Sequence, residues 1–82
     1  MTTQKYTTEY RTEVAFLESS AISMATWSEF SSHLYLEFTA SGDTYEYRNV
    51  PESLFNQLKE AVSAGALFNS AIRNQFESRL YC

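Results

Sequence analysis

The stretch from Leu34 to Pro51 leaves a chain of this length few options. Leu34, Leu36 and Phe38 alternate with His33, Tyr35 and Glu37, the two-residue period of a strand with one buried face. Ser41-Gly42-Asp43 reads as a turn and Thr44 to Arg48 as a returning strand. Val50-Pro51 then opens a helix, because proline in the first turn lacks only an N–H that would have no partner there. Strand, turn, strand and helix within eighteen residues predict an antiparallel sheet with helical cover on one face.

The flanks extend this layout. Glu13 to Glu18 is a short strand, Ser19-Ser20 breaks it, Ile22 to Trp27 is a second strand, and Ser28 to Ser32 is a loop. After Pro51, Glu52 suits the positive end of a helix dipole. Leu54, Phe55, Leu58, Ala61 and Val62 fall on one helical face, and Gly65 is placed to end that helix. A second helix carries Phe68, Ile72, Phe76 and Leu80 in one row, with Asn69, Arg73, Asn74 and Glu77 outward. The expected fold is α+β: a four-stranded antiparallel meander covered on one face by two C-terminal helices. Residues 13–82 form its single domain. Residues 1–12 hold five threonines and no aliphatic side chain except that of the initial Met1, and read as a mobile tail or an extra edge strand.

This central stretch, with Ser19-Ser20 and Ile22 before it and Ala61, Ser63, Gly65, Phe68-Asn69 and Ile72 after it, resembles the KTSC domain. That is a module of roughly sixty residues, found after some lysyl-tRNA synthetases and as small stand-alone bacterial and phage proteins. The resemblance implies a fold rather than a job, and it does not cover residues 1–12. It puts the family's apolar positions at Ile22, Ala25 and Trp27, one odd step and one even, which implies a bulge or twist in that strand. Tyr45-Glu46-Tyr47 resembles the family's central Tyr-x-Tyr pattern.

Charge pairing selects a hairpin register. A Ser41-Gly42 loop would set Glu37 opposite Glu46, and like charges directly opposite are destabilising. A Gly42-Asp43 loop sets Glu37 opposite Arg48 and Phe38 opposite Tyr47, with glycine where a type II′ turn wants it. The second register is the expectation.

Composition bounds the function. Residues 1–48 carry three basic and seven acidic side chains, residues 49–82 three of each, so the net charge of −4 belongs to the strand-rich half. An acidic surface repels phosphate backbones, which weighs against nucleic-acid binding through the outer sheet. No apolar run reaches the length of about twenty residues that a membrane helix needs. Nothing apolar follows Met1 to Lys5 as a secretory leader would require, and the single cysteine, Cys82, has no internal partner. The expected compartment is the cytoplasm. One histidine and one cysteine make no zinc site, and no nucleophile–base arrangement or phosphate loop stands out. The expectation is a protein without catalytic activity, metal or cofactor.

The candidate binding residues are Tyr45, Tyr47, Arg48, Asn69 and Arg73, gathered where the fourth strand meets the first helix and the inter-helix turn. Parity puts both tyrosines on the covered face with Leu36 and Phe38, hydroxyls at the rim. Asn69 and Arg73 lie one helical turn apart. His33, Tyr35, Glu37, Glu46 and Arg48 share the outer face, which reads as a solvated face or an acidic, aromatic contact surface. The function expected is a small non-catalytic binding module that contacts another protein, such as a phage or bacterial modulator acting on a host protein. The alternative is RNA or a small nucleotide, held by the Tyr-x-Tyr edge and nearby arginines. Exposed sheet edges and the N-terminal segment, residues 6–12 in particular, point to a homodimer.

Overall fold

The computed structural model describes residues 11–82. Four strands follow in order: β1 (Thr12–Phe16), β2 (Ile22–Ser28), β3 (His33–Phe38) and β4 (Thr44–Tyr47). Helix α1 (Glu52–Glu60) and a short α2 (Ala64–Leu67) come next; α2 widens into a π-helical segment, Phe68–Ile72. A fifth strand, β5 (Ser78–Leu80), was not foreseen, and the antiparallel sheet runs β1-β2-β3-β4-β5. The meander and its two covering helices are as expected; the strand count is corrected from four to five.

The fifth strand exists because the second helix stops early. Its row of Phe68, Ile72, Phe76 and Leu80 is interrupted at Arg73, which is extended with φ −61° and ψ 127°. Asn74 then takes φ 63°, a left-handed conformation that asparagine tolerates better than most residues. The chain reverses and pairs Tyr45 with Leu80, Glu46 with Arg79 and Tyr47 with Ser78. Leu80, expected inside, is largely exposed.

The hairpin register is also corrected. Tyr47 lies opposite Leu34 rather than Phe38, Tyr45 opposite Leu36, Glu46 opposite Tyr35, and Glu37 opposite Thr44 rather than Arg48. The loop is Thr39 to Gly42: the Gly42 N–H donates to the Phe38 carbonyl at 2.8 Å, and the Phe38 N–H to the Asp43 carbonyl at 2.9 Å. The charge argument had too few partners to work with. Glu37 accepts from the Ser23 hydroxyl at 3.0 Å, and Glu46 obtains its cation from β5. The expected and observed registers differ by an even number of residues, so the assignment of faces holds. Gly42 has φ 77° with no atom within 4 Å of where a Cβ would sit. Gly42→Ala should therefore cost about 1–2 kcal/mol from backbone conformation alone, read as a lower denaturation midpoint at unchanged m-value. An unaltered midpoint would contradict this loop.

In β2 the register shifts between Ile22 and Met24, the bulge that the resemblance implied. It brings Ile22, Ala25 and Trp27 to the inner face, all buried. The Trp27 indole N–H donates to the Val50 carbonyl at 2.9 Å, tying β2 to the segment that leads into α1. Helix α1 presents Leu54, Phe55 and Leu58 to the sheet but ends at Glu60, not at Gly65. Ala61 is extended and Val62 stands fully in solvent. Ser63 caps α2, its hydroxyl accepting from the Ala66 N–H at 3.1 Å. Gly65 serves a close approach instead: a Cβ there would lie 3.0 Å from the Ala21 Cβ.

Leu36, Tyr47, Leu54, Phe55, Leu58 and Ile72, all on faces expected to be covered, are buried in one cluster. Phe38 and Phe68 are only partly buried, meeting edge to face at 5.2 Å between ring centroids at one end of the core. Of the N-terminal segment, Thr12 begins β1, and Arg11 binds Glu52 at 2.7 Å and Glu13 at 3.1 Å. Residues 1–10, including most of the expected pairing segment, lie outside the described residues.

Candidate functional site

Alternation along the strands sends a second set of side chains to the face opposite the helices. One cross-strand row runs Val14, Thr26, Tyr35, Glu46, Arg79. At its centre Glu46 is 3% exposed, although it sits on the side of the sheet without helices. Its carboxylate accepts from the Arg79 Nε at 2.8 Å and from the Tyr35 hydroxyl at 3.1 Å. His33 Nδ1 lies 3.0 Å from the same carboxylate and Arg48 Nε 3.9 Å from it. Burial pushes the Glu46 carboxyl up, but the hydrogen bonds from Arg79 and Tyr35 and the field of His33 outweigh it. The net effect holds the carboxyl below the usual carboxylate range. Burial, reinforced by the bond to Glu46, raises the Tyr35 hydroxyl above its ordinary value.

Beside this cluster the sheet surface is a trough of about 410 Å³. Met24, Thr26 and Ser28 of β2 form one side, Tyr35, Glu37 and Thr44 line its floor, and Tyr81 and Cys82 stand opposite. Tyr81 is positioned by its N–H, which donates to the Thr44 carbonyl at 2.7 Å, and by an edge-to-face contact with Tyr35 at 4.9 Å. The trough thus combines two tyrosine rings, a thioether, several hydroxyls and one carboxylate. Both Glu46 oxygens are engaged by donors, so this carboxylate orients its neighbours rather than offering a base. Among the described residues, no three His, Cys, Asp or Glu side chains gather as metal ligands. No helix there is long and apolar enough to cross a membrane.

The expected site residues separate onto the two faces. Tyr45 and Tyr47 lie on the helix side, packed through Phe38 and Phe68 with centroids 5.9 and 5.8 Å apart respectively. Tyr47 is 6% exposed, and its hydroxyl is raised chiefly by burial and by Tyr45, with the charge of Arg73 opposing. Arg73 and Asn69 are exposed at the end of the second helix. Arg48 is on the other face, 3.9 Å from Glu46 and 4.0 Å from Glu77. Four members of this cluster, His33, Tyr35, Glu46 and Arg48, were legible as sharing the outer face, but Arg79 and the bonds that bury Glu46 were not, because they require the true hairpin register and a fifth strand. The hint available was the His33-x-Tyr35 alternation facing the one acidic residue between two tyrosines.

A single antiparallel sheet, helices on one face and an open trough on the other, defines a small α+β domain of the one-layer-on-one-layer type. The chain belongs to the KTSC domain family, whose description matches residues 18–76. It is 37% identical over 62 residues to a protein of Tsukamurella paurometabola, a match spanning 76% of this chain and 91% of that one. Its structure is similar to the crystal structure of the KTSC domain protein YPO2434 from Yersinia pestis. That likeness has a TM-score of 0.80 at 28% identity and covers 88% of this chain and 100% of the other.

Proposed function

We propose that the chain is a non-catalytic binding module that receives a segment of another protein in the outer-face trough. The observation that carries this reading is a trough of about 410 Å³ whose central tyrosine is held by a buried carboxylate network. That volume lies within the range of about 300–1,000 Å³ typical of ligand clefts. A Glu that is 3% exposed on the helix-free side of a sheet holds Tyr35 in one position before a partner arrives. Met24, Tyr35 and Tyr81 suit an apolar anchor; Glu37 and the net charge of −4 favour basic residues beside it. In this reading Arg48 belongs to the site's rim through Glu46, while Tyr45 and Tyr47 hold the fold beneath it.

The aromatic pair on an open antiparallel sheet also supports the alternative, a single-stranded RNA or nucleotide stacked on Tyr35 and Tyr81. The two arginines on that face, Arg48 and Arg79, both lie beside Glu46, so their charge is already partly neutralised and the protein reading is preferred.

The test is a random-peptide selection on the wild-type chain, followed by binding to Thr26→Arg. Thr26 lines the trough and is only half-buried, so the folded state should change little. Selected peptides should carry an aromatic or aliphatic anchor flanked by Lys or Arg, and should bind the variant at least tenfold more weakly. Equal binding to both chains would remove the trough as the site. Oligonucleotide binding that weakens steeply with salt, and is lost in the same variant, would replace the protein reading with the RNA one.

A further inference from the structure

The two edges of the sheet are unlike. β5 is three residues long and carries Arg79. β1 is five residues long, with Val14 49% and Phe16 81% exposed. Long apolar edges are rare in monomers, which usually blunt them with charge, proline or brevity. The one charge in β1, Glu13, is turned to the helix side, where it binds Lys59 at 2.6 Å and Arg11 at 3.1 Å. Its charge is thus answered within the chain.

The hydrogen-bond pattern shows which groups the edge offers. The Arg11 carbonyl accepts from the Glu29 N–H, and the Leu17 N–H donates to the Ser23 carbonyl. In an antiparallel ladder such bonds fall on alternate residues, so the odd positions of β1 face β2. Thr12, Val14 and Phe16 consequently point their N–H and C=O groups away from the sheet. Among the described residues, no strand pairs with them.

We infer that β1 is a self-pairing edge, and that two copies of this chain join antiparallel through it into one ten-stranded sheet. The outward groups of the edge are paired most fully in one register. A two-fold axis perpendicular to the sheet preserves its faces, so a residue must pair with one of like parity. Centring the axis on Val14 sets Val14 against its counterpart and Thr12 against Phe16, and all the outward groups of these three residues find partners. Moving the centre to Glu13 sets two glutamates directly opposite, which is unfavourable. Moving it to Ala15 pushes Thr12 opposite Glu18, beyond the strand. In the Val14-centred arrangement Phe16 packs against Thr12 and Val14 of the other copy on the outer face. The two troughs then lie on the same side of the joint sheet. This goes beyond the binding reading and does not depend on it.

The experiment is sedimentation equilibrium of the full chain from micromolar to millimolar concentration, with two variants. In Val14→Pro the lost N–H is one that faces away from β2, so the intrachain ladder stays intact. In Val14→Lys a charge is added on the same exposed position. The wild-type chain should approach twice 9.4 kDa as concentration rises, and both variants should stay at 9.4 kDa with native circular dichroism. A third variant, Val14→Cys with Cys82→Ser, should cross-link as a dimer with a short bifunctional maleimide, because the axis passes through that residue. Three results would each overturn the inference: a wild-type chain monomeric at millimolar concentration, a dimer that persists in a folded Val14→Lys chain, or a dimer that Val14→Cys fails to cross-link.

Discussion

Phe55→Ala is expected to take away a large share of the domain's stability. Phe55 is 0% exposed in the middle of α1, between Leu54 and Leu58 of the helix face that covers the sheet. Truncating a fully buried phenylalanine costs about 3–5 kcal/mol, the transfer of the ring plus the cavity left behind. A chain of 82 residues has about 4–12 kcal/mol in total. The thermal midpoint should therefore fall by about 15 °C or more, with part of the chain unfolded at room temperature. The Lys59 ammonium, 4.9 Å from the ring centroid, loses its aromatic partner as well. Phe68→Ala should cost roughly half as much, because Phe68 is only partly buried at the end of the core. Thermal denaturation followed by circular dichroism checks both; a Phe55→Ala chain that melts with the wild type would refute this packing.

Glu46→Gln should destabilise the fold and flatten its acid sensitivity. The amide keeps one acceptor, but its N–H₂ must face either Arg79, which binds Oε1 of the carboxylate, or the Tyr35 hydroxyl and His33 Nδ1, which meet at Oε2. Leaving buried donors unmatched costs about 1–3 kcal/mol. The lower end is favoured because the Arg79 and Arg48 side chains, 62% and 41% exposed, can turn to water. The sign of the pH effect follows from the direction of the shift. A carboxyl whose folded pKa lies below its unfolded value adds stability above the unfolded pKa and loses it as pH falls through the folded one. Between about pH 7 and about pH 3 the wild-type chain should thus lose more stability than Glu46→Gln. Glu13, also held low by its hydrogen bond from Lys59, contributes in the same direction in both chains and cancels from the difference. Equal losses in the two chains would mean that Glu46 is not held low.

The same position illustrates why the site was harder to read than the fold. Glu46 lies between two tyrosines whose inward direction was legible from alternation, so its outward direction was legible too. Its burial was not, because that comes from Tyr35 and His33 on one neighbouring strand and Arg79 on another. Residues 68–80 fit a helical row of Phe68, Ile72, Phe76 and Leu80, and from Ser78 onward they equally fit a strand. Local periodicity favours neither, and pairing with β4 makes the choice. Gly65 was misread for a related reason. A glycine after an apolar helical face resembles a helix end, whereas here it admits Ala21 from the far side of the chain.

What the sequence by itself determined were the features set within a few residues of chain. The meander, the inner and outer faces of β3 and β4, the turn at Gly42 and the start of α1 after Pro51 all follow from side-chain alternation and backbone sterics. The tertiary structure decided the hairpin register, the end of α1 at Glu60, the fifth strand and the network around Glu46. The fifth strand and the network rest on contacts between residues far apart in sequence, Glu46 with Arg79 among them. Such contacts compete with local preferences of similar size, and the balance is struck only when the whole sheet is assembled.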